Sequence, residues 1–526
     1  MNDLPAPAPS ATRLRLAAAL LGLAMIAAVM VALPVAPTDL DRHQFPKEAV
    51  LHLAVLAAGL VAGRGVLDTL PRAVRILVGV IVLWSVMGLA AAVNPWLAVR
   101  AIGLTATGAL AFATAHFLGR HGQRRMVLAA AVIAALLGVS GALAQAWGLD
   151  HRSFADLRAP GGTLGNRNFV AHLAAMALPL AVTGLLAATR RRTVALTAVL
   201  STAIVVTLIL TRSRAGWLAA LAAVLAVIVW LMLVPVQFRD TLPRKRFLLV
   251  PGLALIGAVI AMAIPNTLEW RSDSPYTDTL GNLTNYREGS GRGRLLQYQH
   301  TMTLAFRHPI LGVGAGNWPL RYGEVAPSSD PSWARNDVIP LNPWPSSDWM
   351  ALVSERGILA PIAVLLLGAS LLLTAFRRRR DSVDHALRGA AMAGILVGAL
   401  TTGLFDAVML LAVPLGFVAI TVGALLPTAD DRPLRPVPRI LRQLLLLLVL
   451  VGALRSVQQT AAYVVAGGGT TRAALARGAR IDPFSFPLQI ELGRSGPCRT
   501  ASPHARAALR LAPTWVSAQR AAKRCR

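Results

Sequence analysis

The sequence is poor in charged residues, and above all in carboxylates. Charged residues make up 14% of its 526 residues, whereas an average soluble domain carries about a quarter. Only 24 residues are Asp or Glu, against 52 Lys or Arg, which gives a formal net charge of +28. With 55% hydrophobic residues and a positive mean hydropathy, this composition disfavours a soluble domain and favours a membrane protein.

Cysteine is almost absent as well. Cys498 and Cys525 both lie in the C-terminal tail, and they form neither a CxxC motif nor the spacing of a zinc site. If the tail lies in an oxidising compartment the two thiols can pair, and free structural thiols are the alternative.

The positive charge is distributed in a way that argues against nucleic-acid binding. The cations are mostly arginines in short clusters between apolar runs of roughly 20 residues, which is a membrane-topology pattern. We therefore expect membrane lipids as partners and no nucleic acid.

The apolar runs predict an all-α, polytopic transmembrane bundle of about 12 to 13 spans. The spans are expected near residues 14–36, 49–66, 73–93, 98–118, 126–147, 168–188, 193–211, 215–235, 247–265, 357–376, 386–408, 409–427 and 440–465. The least certain are the pair around Asp406 and the last one, which Arg455 interrupts.

Arginine clusters such as 190–192 and 377–380 follow alternate spans and are expected to face the cytoplasm. The N-terminus is expected in the cytoplasm, so an odd number of spans places the C-terminal tail outside. The predicted divisions are 1–265 for the first nine spans, 266–349 for a large periplasmic loop, 350–466 for the remaining spans and 467–526 for a helical tail. A loop of that length is usually functional or disordered, and its aromatic residues favour an ordered one.

The tail alternates helical patterns with Pro-containing breaks. Two segments resemble degenerate helix pairs of the tetratricopeptide kind, an elementary repeat of stacked amphipathic helices. A basic amphipathic tail on the membrane surface is an equally good interpretation.

Two arginine-bearing segments are the first functional candidates. In "TRSRAGW", Arg212 and Arg214 lie on the outer side, where positive charge is otherwise avoided. An anionic partner explains them, because guanidinium groups bind phosphate bidentately, whereas a capping turn with snorkelling side chains is the structural alternative. In "GSGRGRLLQYQH", Arg292 and Arg294 are candidate phosphate ligands or a charged surface.

Three glycines in "HPILGVGAGNW" (Gly312, Gly314 and Gly316) predict close backbone approach with positive φ. Without a preceding strand, this is not a dinucleotide-binding loop.

Two further segments carry acids and a histidine. In "NPWPSSDWMALVSERGILA", Asp348 and Glu355 are seven residues apart, which places them on one helix face. In "GTLGNRNFVAH", Arg167 and His172 lie near the outer surface. A lone histidine in a membrane helix is expected to pack rather than to catalyse, and Asp406 either faces the site or caps a helix.

Taken in order, these segments resemble the O-antigen ligase and polymerase family of polytopic glycosyltransferases. "GTLGNRNFVAHLAAMALPL" is similar to the family's "GTxGNPNxxAxxLxxxLPL", "TRSRAGWL" to its "SRGAxL" turn, and "RHPILGVGAGNW" to its "DHPLLGVGxGNF". The long outer loop falls between the second and third of these. The resemblance covers roughly residues 70–430.

The resemblance implies an enzyme that uses neither a metal, a cofactor nor a nucleotide sugar. It would move a glycan from undecaprenyl-diphosphate to a lipid A core sugar, another glycan or a protein hydroxyl, at the periplasmic face of the bacterial inner membrane. Arginines, here Arg214 and Arg294, would hold the diphosphate while a base takes the acceptor proton.

The chain departs from the family where the base is expected. The family's "HxHNxxLxxLxExG" places its histidine at Ser346 and its asparagine at Ser347, and serine is no base near neutral pH. Either another group such as Asp348, Glu355 or Asp406 takes the proton, or the reaction tolerates the loss, or the protein is catalytically altered.

A ligase is the leading functional hypothesis, ahead of an O-antigen or exopolysaccharide polymerase and a protein O-oligosaccharyltransferase. A flippase should show charged residues near the bilayer midplane, whereas these candidates lie at outer helix ends. A catalytically altered scaffold is the non-enzymatic alternative.

Overall fold

The structure is a computed structural model of a helical membrane protein. It describes residues 9–36, 39–154, 158–236, 244–270, 272–281, 287, 289–327, 329–330, 333–334, 337–340, 344–428 and 436–525.

The first nine helices precede the large loop. They are α1 (Ala11–Met30), α2 (Asp39–Ala62), α3 (Arg72–Met87), α4 (Pro95–Arg120), α5 (Arg124–Ala146), α6 (Arg167–Ala187), α7 (Arg191–Thr211), α8 (Arg214–Met232) and α9 (Arg244–Ala263).

The large loop and the C-terminal part of the chain are also mainly helical. The elements are α10 (Pro275–Gly281), α11 (Gly289–Arg307), α12 (Trp318–Arg321), the short antiparallel strands β1 (Trp333–Ala334) and β2 (Asp337–Pro340), α13 (Asp348–Arg356), α14 (Leu359–Arg378), α15 (Val383–Phe405), α16 (Ala412–Leu425), α17 (Arg439–Ala466), α18 (Arg472–Ile481), α19 (Phe486–Arg494), α20 (Cys498–Leu511) and α21 (Val516–Arg524).

The expected polytopic bundle is confirmed. Within the described ranges, 12 helices are long and apolar enough to cross a membrane. The predicted span at 409–427 corresponds to α16, which has only 14 residues. At 1.5 Å per residue it is about 21 Å long, shorter than a hydrocarbon core of about 30 Å.

Helix α6 is the centre of the bundle. In the most apolar 18-residue stretch of α6, 94% of the residues are buried inside the protein. The corresponding share is 11% for α9 and 22% for α14, which lie at the periphery. It packs against α5, α7, α8 and α15. Such burial needs apolar residues all round the helix, which its sequence supplies after the first turn.

Small residues bring the central helices into close contact. A Cβ added to Gly103 in α4 would lie 2.6 Å from the Cα of Gly452 in α17, and one added to Gly394 in α15 would lie 2.6 Å from Pro179 in α6. Side chains larger than hydrogen do not fit there, so close packing holds these helices together in place of hydrophobic transfer from water.

The first half of the large loop folds back onto the bundle. Helix α11 packs against α13, and the buried Trp318 donates a hydrogen bond from Nε1 to Thr301 Oγ1 at 3.1 Å. Gly312 and Gly357 have positive φ values of 66° and 76°, and their backbones lie against segments 355–356 and 309–310. The positive φ that the sequence predicted at Gly312, Gly314 and Gly316 is confirmed.

The tail consists of the four helices α18 to α21, and each of them contacts the next. The repeat interpretation stays a prediction. It packs on the same face as the large loop, because Trp515 Nε1 donates to Pro319 O at 2.9 Å and Trp96 stacks on Phe484 at 3.8 Å. Cys498 and Cys525 form a disulfide.

Arg455, the residue that interrupts the last span, is explained by the tail. Its Nη1 contacts Asp482 Oδ1 at 2.7 Å, and both side chains are buried. Helix α17 has 28 residues, or about 42 Å, so its outer end projects beyond a core of about 30 Å. The arginine therefore lies at the docking site of the tail and not in lipid.

This arrangement predicts one-sided chemical labelling. With a membrane-impermeant maleimide applied from the periplasmic side, we expect Leu280→Cys in the loop and Arg499→Cys in the tail to react, because both positions are exposed on the same face. Arg191→Cys, at the start of α7, which is expected to face the cytoplasm, should react only after the membrane is opened. Labelling of the loop and tail from opposite sides would contradict the fold.

Candidate functional site

Helix α11 is fixed to the segment before α13 and to the end of the membrane helix α15. The hydroxyl of Tyr298 donates to the carbonyl oxygens of Ser346 at 2.6 Å and Leu404 at 2.8 Å. Gln297 Oε1 accepts a hydrogen bond from the amide of Ser346 at 2.7 Å. These contacts place the middle of α11 over the start of α13 and the end of α15.

Two arginines share one tryptophan beside this region. Arg167 and Arg212 lie over the ring of Trp270 at 4.9 Å and 4.6 Å from its centroid. Arg212 and Arg158 each lie within electrostatic range of Arg167. An aromatic face attracts cations, and it allows this cluster of like charges to exist at the start of α6.

Arg212 holds an uncommon backbone conformation. Its φ is 50°, and among the residues that the structure describes it is the one non-glycine residue with positive φ. This left-handed conformation costs an ordinary residue about 1–2 kcal/mol, and glycine usually occupies it at a helix end. Retention of arginine there points to a role for its side chain.

The contacts of Arg212 orient that side chain. Its Nε donates to Thr279 Oγ1 at 2.9 Å, which joins the end of α7 to the large loop. Burial lowers the pKa of Arg212, an effect that nearby Asp278 partly offsets.

The other three predicted phosphate ligands lie on two helices. Arg214 begins α8, where the Ser213 side chain caps the helix by accepting from the Gly216 amide at 3.3 Å. Arg292 and Arg294 are in the first turns of α11, Arg292 exposed and Arg294 half-buried. Arg294 is within electrostatic range of His172 in α6. Their role as phosphate ligands stays a prediction.

His172 and Asp406 meet at the end of α15. His172 Nε2 lies 3.9 Å from Asp406 Oδ2, and Asn168 Nδ2 donates to the same oxygen at 3.3 Å. The imidazole is fully buried, yet neither ring nitrogen has a hydrogen-bond partner among the described residues. A histidine that served packing alone would normally bond through at least one nitrogen.

Asp348 anchors the segment between α15 and α16. Its Oδ1 accepts hydrogen bonds from the amides of Val408 and Met409 at 2.9 and 3.0 Å. Its own amide donates to Asp406 O at 3.3 Å. Burial raises the pKa of Asp348 to about 7, and the amide hydrogen bonds oppose this effect. These contacts give Asp348 a structural task, and its catalytic role stays a prediction.

Glu355 is bound to the glycine-rich turn. Its carboxylate accepts from the amides of Gly316 at 2.8 Å and Trp318 at 3.4 Å. Arg356 Nη1 lies 3.7 Å away from it. Burial raises the pKa of Glu355, while Arg356 and these amides lower it. The two acids of α13 thus bind different segments instead of forming one carboxylate pair.

The structure also brings forward residues that the sequence did not single out as ligands or catalysts. Arg158, Arg167 and Trp270 complete the cationic cluster, and His172 joins Asp406. One sequence signal was available, since Arg167 and His172 are five residues apart, about 7.5 Å along α6. Nothing local in the sequence linked either of them to Trp270 or Asp406.

The buried Asp348 carboxyl predicts a pH-dependent stability. Its pKa is raised from 3.8 to about 7, so the folded protein binds this proton more tightly than the unfolded chain. Its contribution is complete below about pH 4 and is lost as the pH rises toward about 7. We expect Asp348→Asn to remove that part of the slope in thermal unfolding midpoints measured from about pH 4 to 8. Identical slopes in both proteins would contradict the assignment.

The sequence was compared with known proteins and protein families. No curated protein sequence matches the chain. The family model described as "O-Antigen ligase" matches residues 196–360. This segment contains most of α7, the arginine turn, the large loop and α13, whereas His172, Asp406 and the tail lie outside it. About a third of the chain is therefore similar to the O-antigen ligase family.

Proposed function

We propose that the protein transfers a glycan from undecaprenyl-diphosphate to a hydroxyl acceptor, such as a lipid A core sugar, at the periplasmic face of the bacterial inner membrane. The observation that carries the proposal is the cationic cluster around Trp270, next to the His172 and Asp406 pair. One turn of α6 joins them, because Arg167 and Asn168 are neighbours and Asn168 binds Asp406.

The cationic groups provide a site for the diphosphate. Arg158, Arg167 and Arg212 gather at the beginning of α6, and a helix N-terminus adds unsatisfied amides and a positive dipole end. Arg214, the first residue of α8, and Arg294, which lies within electrostatic range of His172, are the further ligands of this proposal. Charge of this sign stabilises the diphosphate most strongly as it leaves with the electron pair of the broken glycosidic bond.

His172 is the proposed proton acceptor in place of the missing loop histidine. During transfer, the acceptor oxygen forms a bond to the anomeric carbon and releases its proton to the imidazole, while the diphosphate departs. Asp406, 3.9 Å from the ring, stabilises the imidazolium that results. Ser346 contributes backbone contacts to Tyr298 and Gln297, so it positions the site without acting as a base.

Polymerase and protein oligosaccharyltransferase activities remain the alternatives, because they need the same donor site and differ in the acceptor. A reconstituted reaction distinguishes them. A ligase joins the glycan to lipid A core, a polymerase lengthens carrier-linked chains, and an oligosaccharyltransferase glycosylates a protein hydroxyl. A scaffold catalyses none of these reactions.

The backbone of Arg212 allows function to be separated from stability. We expect Arg212→Gly to leave the free energy of unfolding within about 1 kcal/mol, because relief of the left-handed strain offsets the lost contacts. Transfer should fall by at least about tenfold, as for loss of one charged ligand. Arg191→Gly, on the opposite face, is the matched control. Full transfer by Arg212→Gly would contradict a role in donor binding.

Replacement of His172 tests the proton acceptor. We expect His172→Gln to lower kcat by about 10²- to 10⁴-fold, the usual contribution of a general base, with little change in donor KM. Asp406→Asn should lower kcat less and shift the acidic limb of the pH–rate profile. His151→Gln, an exposed outer histidine, should behave as wild type. Unchanged kcat in His172→Gln would remove His172 from the reaction.

A further inference from the structure

A second cavity lies between the tail and the bundle. Its volume is about 390 Å³. The outer ends of α2, α4 and α17 form its floor, and α19 and Trp515 of the tail close it from above. We call it the tail cavity. Most of its tail wall lies outside the segment matched to the O-antigen ligase family.

Its charge differs from that of the arginine cluster. The lining contains four acids, Asp41, Glu48, Glu355 and Glu491, and four arginines, Arg100, Arg356, Arg455 and Arg494. Several of these are paired with one another or with neighbours, for example Arg100 with Glu48 through two contacts of 2.7 and 2.6 Å. A balanced lining of this kind does not select a diphosphate, and it suits a neutral ligand rich in hydrogen-bonding groups.

Aromatic side chains make up much of the remaining lining. Six of them face the cavity: Phe45, Trp344, Tyr463, Phe484, Phe486 and Trp515. Aromatic faces beside paired polar groups suit a sugar ring, which presents C–H groups on its faces and hydroxyls around its edge. Pockets of this size commonly combine apolar walls with a few placed polar groups.

Two polar atoms in the lining still need a partner. Gln459 Oε1 and Arg455 Nε are buried and have no hydrogen-bond partner among the described residues, although both residues are about 4% exposed. Buried polar atoms are nearly always paired. Both residues line the cavity, but these two atoms are enclosed, so a ligand hydroxyl reaches them after a side-chain rotation.

The tail cavity shares a wall with the candidate active site. Trp344 and Met409 line the cavity. The ring of Trp344 is 6.4 Å from that of Phe169 in α6, and the Met409 amide is bonded to Asp348. A ligand in the cavity is therefore separated from His172 and Asp406 by one layer of residues.

We propose that the tail cavity binds the saccharide part of the acceptor, so that the tail helices serve acceptor recognition. The assignment to the acceptor rests on the proposed transferase function. Saccharide binding itself does not, because it requires no turnover.

Binding to the full-length protein in nanodiscs tests the proposal. The probe is the delipidated core oligosaccharide released from the lipopolysaccharide of the source bacterium, and the readouts are calorimetry and tryptophan fluorescence. Gln459→Met removes the unpartnered oxygen and should weaken binding about fivefold, as expected for one hydrogen bond. Ala101→Phe fills the cavity and should weaken it more than tenfold.

Gln519→Met is the matched control. Gln519 donates to Pro513 O within the tail at 2.8 Å and does not line the cavity, so this variant should bind the probe as wild type. Wild-type binding by both cavity variants would overturn the proposal. Binding of undecaprenyl phosphate that both cavity variants weaken, with no binding of the oligosaccharide, would also overturn it and assign the cavity to lipid. If oligosaccharide binding depends on the cavity while no transfer occurs, the proposed function fails and the saccharide site stands.

Discussion

The burial of α6 along its whole length constrains the outer face of the protein. A helix enclosed on all sides can carry polar residues only in its first two turns, where other elements meet them. Arg167 finds Trp270 of the large loop, Asn168 finds Asp406 at the end of α15, and His172 lies near Arg294 of α11. The large loop and α15 are thus held in place by the residues at the start of α6.

Scarce carboxylates are divided between two tasks. Asp348 and Glu355 each accept hydrogen bonds from backbone amides and hold irregular segments in place. Asp406 is partly exposed and lies beside an imidazole. The arginines near Trp270 have few acidic neighbours, and the structure uses an aromatic face to hold them. This division leaves positive charge at one end of α6 while the tail cavity, which has as many acids as arginines, is balanced.

The sequence was sufficient for the features that depend on local pattern. Apolar runs predicted the bundle, and the glycines of "GVGAG" predicted positive φ, because both follow from nearby residues. It was insufficient where partners are distant in the chain. The spacing of Asp348 and Glu355 placed them on one helix face but could not show that Met409 and Gly316 hold them. The sequence could not show that His172 lies beside Asp406, because the two residues are 234 positions apart. Arg455 lies inside a predicted span, and its partner Asp482 is in the tail, beyond the reach of any local pattern.

The shortness of α16 has a consequence for the depth at which the proposed transfer reaction would take place. A helix of about 21 Å leaves part of the membrane thickness to the irregular segment that precedes it. Non-helical backbone is tolerated at that depth only inside protein, and Asp348 supplies the acceptors that water would provide elsewhere. We infer that polar groups lie there below the headgroup plane, where the lipid carrier of the proposed function would present its diphosphate without leaving the bilayer.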